Sequence, residues 1–224
     1  MGFNRAAPAP RPSSDVLTAR MAGIGMNFAT KSDHNADIEA TLVDASSLGM
    51  DDGDLRVLSV VTTWVGVHHT HVNADRLIRL VKLHESHRVH AYWAAISSWL
   101  AKDRRFARLG VREGVPVDLL PVGTDFQLKR KGEDERFAGS MVRVPRGTLR
   151  DRMEDVLSPE ALVKHHAGYR NRVVIGPTWR ADVWTVLEKA PGLTVAEAAR
   201  RASCSFATAW QAAQDFKVLH PASK

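Results

Sequence analysis

This sequence has a single cysteine, Cys204. One thiol cannot close an internal disulfide, so the fold cannot depend on one and a reducing, cytoplasmic setting is expected. No run approaches the roughly 18 consecutive apolar residues of a membrane span, and no membrane partner is expected. The opening "MGFNRAAPAPRPSSD" has no apolar h-region, so it reads as a tail and not as a secretory signal. Ala7, Pro8, Pro10 and Pro12 favour neither core nor helix there, and residues 1–35 are expected to be disordered. Also lacking are a phosphate loop, a dinucleotide glycine pattern and a nucleophile elbow. No helical His-Glu-x-x-His pattern appears among the ten histidines, and Cys204 has no thiol companion. His68, His69, His71, His84, His87 and His90 therefore read as satisfied or solvated side chains, with no metal and no cofactor implied. Asp125 and Lys129 in "TDFQLK" have the alternation of an acid–lysine nuclease strand, but no second carboxylate stands nearby. Nothing demands catalysis, and the chain reads as a non-enzyme.

Acidic residues are the minority charge: 25 Asp and Glu face 31 Lys and Arg, a net +6 at pH 7. That balance permits polyanion binding without identifying it. The 44% hydrophobic and 25% charged content is ordinary for a globular chain.

Helical patterns dominate. "DIEATLVDASSLG" has Asp37 to open a helix and Gly49 to end it. In Asp54–Thr70 the β-branched residues pull toward strand, yet Leu55, Leu58, Val61, Val65 and His68 recur at helical spacing, which predicts a buried helix. Asn73 can cap a third helix with Leu77, Leu80, Val81 and His84 on one stripe. "RVHAYWAAISSWLAKDRRFARLG" predicts a further helix carried to Gly110, with Tyr92, Ile96, Trp99 and Leu100 inward. Beyond it, Phe126–Arg130 and Met141–Val144 look extended around "KGEDER", which predicts a β-hairpin near 126–144. Helices followed by a basic hairpin also give the order of a winged helix, an alternative for 54–145. Ser158 and Pro159 form a helix start. The fold class is thus mainly α, with a tail over 1–35, a helical and winged-helix-like module over 36–150, and a C-terminal module over 151–224.

The most informative stretch is "TVAEAARRASCSFATAWQAAQDFKVL". Thr178 can cap a helix over Trp179–Ala190, stopped by Pro191-Gly192. Thr194 with Glu197 makes a capping box for a second helix, which runs to Ala202. Ser205 can cap a third, reaching about Lys217. Ala198, Ala199 and Ala202 supply small residues where two helices approach; Cys204, Ala209, Ala212 and Phe216 supply an inward face after the corner. This stretch resembles the helix-turn-helix superfamily of DNA-binding proteins. Ser203 stands where that superfamily most often has Gly, a place where a positive φ costs serine more.

The resemblance implies that the early part of the third helix enters the major groove. Ser205, Phe206, Thr208, Gln211 and Gln214 are then the candidate base readers, with Gln211 able to make a paired hydrogen bond to adenine. Trp210 also falls on the outer face, where it either meets the sugar-phosphate backbone or buries against the rest of the chain. That face has no Arg or Lys before Lys217. Candidate phosphate contacts are Lys129, Arg130, Lys131, Arg170, Arg172, Arg180 and Lys217, which would fix the protein on the duplex without reading sequence. The expected partner is double-stranded DNA, bound by a homodimer acting as a transcriptional regulator. The competing expectation is a protein-binding unit: an antitoxin or accessory subunit of a bacterial defence system.

Overall fold

The computed structural model describes residues 11–110 and 115–220. The chain is mainly helical, and most helices begin where a short polar side chain can accept from the first turn. α1 spans Ser14–Gly23, α2 Ile38–Met50, α3 Leu55–His68, α4 Ala74–Leu83 and α5 His87–Trp99. Asp37 accepts from the Ala40 N–H at 3.0 Å, Asp54 from Val57 at 2.9 Å, Asn73 from Arg76 at 3.2 Å and Ser86 from Val89 at 3.3 Å. α6 (Thr124–Lys131) follows a 3-10 turn at Arg104–Leu109, and then come α7 (Pro159–His165) and α8 (Ala167–Ile175).

α2 sits centrally and packs against α1, α3, α4 and α5. The approach of α2 to α3 is close, since a Cβ on Gly49 would meet the Leu58 Cβ at 2.6 Å. Large side chains fill the space around it. Trp64 and Trp93 are fully buried, and each indole N–H is satisfied, by the Ile24 carbonyl at 2.7 Å and the Ser46 hydroxyl at 3.0 Å. Such pairing removes the desolvation cost of burying an indole.

Several expectations need correction. The tail expected over 1–35 is overturned from Ser14 onward, residues 1–10 lying outside the described part: α1 buries Leu17 and Met21, and Ile24 and Met26 join the same core. Four apolar side chains at helical and near-helical spacing outweigh the proline-rich opening. The hairpin near 126–144 loses its expected first strand. Phe126–Arg130 belong to α6, whose first turn carries Asp125 and whose last turn carries Lys129, Arg130 and Lys131, matching the helix dipole. Strand β2 (Val142–Arg143) pairs in parallel with β1 (Val117–Asp118) instead. What antiparallel pairing there is here is short, Glu133 against Pro145 with the Asp134 N–H donating to the Val144 carbonyl at 2.8 Å, and Asp125, helical and paired with Arg143 at 2.7 Å, is no strand acid. The helix expected to reach Gly110 stops at Trp99. The first core runs from Leu17 to Tyr169, so the boundary expected at 150 moves to the stretch after α8.

A second, separate core lies in the last three helices: α9 (Trp179–Lys189), α10 (Val195–Arg201) and α11 (Phe206–Leu219). It is built from Val183, Leu187 and six alanines, with Trp184 and Phe216 packed edge to face at its side.

Candidate nucleic-acid interface

α10 and α11 meet at a tight corner. Thr194 accepts from the Glu197 N–H at 3.2 Å to start α10. The reciprocal half of the capping box is not made, because the Glu197 carboxylate pairs with Arg201 at 2.8 Å. Thr178 precedes α9 without a side-chain capping bond. Ser203 turns the chain with φ +56, and among the described residues it is the one non-glycine in the left-handed region. The turn closes through Ser203 N–H to the Arg200 carbonyl at 3.1 Å and Cys204 N–H to the Ala199 carbonyl at 3.0 Å. Ser205 then caps α11, its hydroxyl accepting from the Thr208 N–H at 3.1 Å.

Small residues make the corner possible. Ala198, Ala199, Ala202, Ala209, Ala212 and Ala213 are all buried, letting the helix backbones approach closely. Cys204 is half-buried against them, and burial pushes its thiol up from the ordinary range, so it is held as a thiol.

α4 grips this corner from the bundle. Arg79 donates to the Ser203 carbonyl at 2.6 Å and Arg76 to the Ala202 carbonyl at 2.8 Å. Both guanidinium groups stand over the Trp179 ring, at 4.8 and 5.6 Å. Carbonyls at a helix C-terminus have no intrahelical donor, so arginines from another element satisfy them.

The outer face of α11 remains open. Phe206 is 58% exposed and Trp210 48%, while Ser205, Ala207 and Gln211 are exposed and Thr208 and Gln214 half-buried. Trp210 is thus left outside, not packed into the bundle. Four of the five candidate base readers therefore share α11, and the fifth, Ser205, is its N-cap with the hydroxyl already engaged by that helix.

The candidate phosphate contacts scatter. Arg172 is corrected outright: it is 4% exposed, fixed bidentate on Glu39 at 2.6 and 2.8 Å and on Asp182 at 2.8 Å. Burial works against its charge, but the two carboxylates outweigh that and push its pKa up. Asn73 completes the network, taking Glu39 with its N–H at 2.8 Å and donating its amide to Asp182 at 2.8 Å. Arg170 pairs with Glu188 at 3.2 Å and Arg180 with Asp215 at 2.9 Å, so both exposed guanidiniums are already engaged. Lys129, Arg130 and Lys131 are exposed at the end of α6, and Lys217 is exposed in the last turn of α11. Sequence reasoning missed Arg200, exposed on α10 in a concavity shared with Cys204 and Phe206. Its position beside the corner was the available signal.

The buried histidines serve the fold. His68 donates from Nε2 to the Leu157 carbonyl at 2.9 Å, so its Nδ1 accepts from the Tyr169 hydroxyl at 2.7 Å. His166 donates from Nε2 to the Ala36 carbonyl at 2.9 Å and caps α8 by accepting from the Tyr169 N–H at 2.9 Å. Burial lowers both pKa values to about 4. Among the described residues no three His, Cys, Asp or Glu side chains are placed to hold a metal, and no helix is long and apolar enough to cross a membrane.

No family model matches this chain, and no curated protein or solved structure does either.

Proposed function

We propose that α9, α10 and α11 form a helix-turn-helix unit and that the chain is a sequence-specific double-stranded DNA-binding protein, a transcriptional regulator acting as a homodimer. In this reading the N-terminal half of α11 enters the major groove. Phe206, Thr208, Gln211 and Gln214 face the bases, and Ser205 sets the helix start. Arg200 and Lys217 meet the phosphates beside the groove, and Lys129, Arg130 and Lys131 supply a second grip.

One observation carries the reading: the stretch from Thr194 to Leu219 is a bent helix pair that buries six alanines and leaves Gln211 exposed beside Phe206, Ala207 and Trp210. A helix in the major groove needs that arrangement, since only an uncovered polar edge can hydrogen-bond to base edges. Two-fold pairing follows from the small number of bases that one helix touches.

The test is a gel shift with random-sequence selection at two salt concentrations. Affinity is expected to fall with salt. Gln211→Ala is expected to cost about 1–3 kcal/mol at one base pair and little at the others. Equal loss on every sequence would remove the readout.

A protein-binding role, as antitoxin or accessory subunit, is favoured by a different observation. The open face of α11 presents Phe206, Trp210 and Val218 and no cation before Lys217. Exposed aromatics of this kind are common anchors at protein interfaces. Co-purification of a partner without any duplex shift would favour this reading over the first.

A further inference from the structure

A cavity of about 140 Å³ opens at the seam between the helical bundle and the last three helices. The loop before α2 contributes Asn35 and Asp37, α4 contributes Arg76, and α9 and α10 contribute Thr185, Lys189 and Arg201. At roughly 30 Å³ per water, it has room for about four to five waters or one small ligand, and none for a nucleotide.

Its charges are unevenly matched. Arg172 and Asp182 also line it, but they neutralise each other within the buried network with Glu39. Asp37 is taken by Arg76 and by the first turn of α2. Lys189 and Arg201 remain at the exposed mouth. Lys189 receives only the longer-range attraction of Asp33 and Glu188, and desolvation pushes its pKa down. Arg201 has one partner, Glu197, on its own exposed helix surface. The Nε of Arg76 is buried without a hydrogen-bond acceptor, the nearest Glu39 oxygen lying 3.8 Å away. A buried donor left in this state favours a ligand that can accept from it.

We propose that this seam cavity binds a small oxyanion, a free carboxylate or phosphate, through Lys189 and Arg201 at its mouth with Arg76 beneath them. Such a ligand joins α4 of the bundle to α9 and α10, so its binding strengthens the attachment of the three-helix unit by mass action. The site is independent of the DNA-binding reading, and its assay contains no DNA.

The experiment is calorimetric titration of the full-length protein, once with inorganic phosphate and once with acetate. Chloride holds the ionic strength constant, and the unfolding midpoint is followed in parallel. Saturable binding of at least one anion is expected, with a matching rise in midpoint, and the arm that binds separates phosphate from carboxylate. Lys189→Gln and Arg201→Gln are expected to weaken it about tenfold or more, the size of one lost charge-assisted hydrogen bond. Both change exposed side chains, so folding is expected to be retained, as far-ultraviolet circular dichroism would show. Lys102→Gln, an exposed lysine outside the cavity, is expected to change nothing. Absence of saturable binding by either anion, wild-type affinity in Lys189→Gln, or equal weakening by Lys102→Gln would overturn the proposal.

Discussion

Ser203 adopts a backbone conformation that its side chain disfavours, φ +56 at the corner between α10 and α11. A left-handed non-glycine costs roughly 1–2 kcal/mol, and a glycine there gives part of that back through its freer unfolded chain. Ser203→Gly is therefore expected to stabilise the protein by up to about 1 kcal/mol, read as a higher urea midpoint. A lower midpoint would show that the serine side chain contributes more than its backbone strain removes. The buried histidines set a pH limit at the same scale. His68 and His166 fall from an ordinary 6.5 to about 4 in the folded protein, where both are neutral. The unfolded chain takes up protons first as pH drops, so stability is full above 6.5 and is lost progressively down to about 4. Each ring accounts for a loss on the order of 3 kcal/mol across that window. Urea titrations at pH 7.0 and pH 5.0 (chosen on either side of the ordinary histidine value, about 6.5) check the direction, and His68→Gln is expected to flatten the dependence.

Helix starts were the most legible elements, because a cap is a local event. Asp37, Asn73, Ser158, Thr194 and Ser205 each accept from a backbone N–H three residues on. α11 offers a prediction on this basis. Ser205→Asp keeps a capping oxygen and adds a negative charge at the helix N-terminus. Thermal stability is expected to stay within about 0.5 kcal/mol of the parent, while affinity for duplex DNA drops and becomes less sensitive to salt. Unchanged DNA binding would remove α11 from the proposed groove. The hairpin was illegible for the opposite reason. Its extended-looking Phe126–Arg130 segment has mixed polarity that suits a short, weakly buried helix equally well. The partner of Val142–Arg143 is Val117–Asp118, on the far side of α6. Non-local pairing leaves no trace in the local pattern. Of the candidate site, the bent pair of α10 and α11 was legible from alanine spacing. The grip of Arg76 and Arg79 on the corner was not, since nothing near Ser203 in sequence names α4 as its neighbour.

Across the whole molecule, the arginine expected to hold phosphate turns out to hold the molecule together. Arg172 meets Glu39 from 133 residues away in the chain, a distance over which no spacing argument reaches. Removing one partner of a buried pair leaves the other charge uncompensated, at a cost of about 3–5 kcal/mol. Arg172→Ala is expected to destabilise by that amount, measured by urea unfolding, whereas Arg180→Ala, which breaks an exposed pair with Asp215, is expected to cost about 1 kcal/mol or less. Comparable losses from both would mean that the network at Glu39 is solvated.

That network has a consequence for engineering. Asp182 belongs to α9, but Glu39, Asn73 and Arg172 belong to the bundle. A chimaera that transplants only α9 to α11 onto a foreign body takes one carboxylate away from its arginine and leaves the corner carbonyls of Ala202 and Ser203 without donors. The portable unit is the three helices together with the α4 surface and the Arg172–Glu39 pair that meets Asp182.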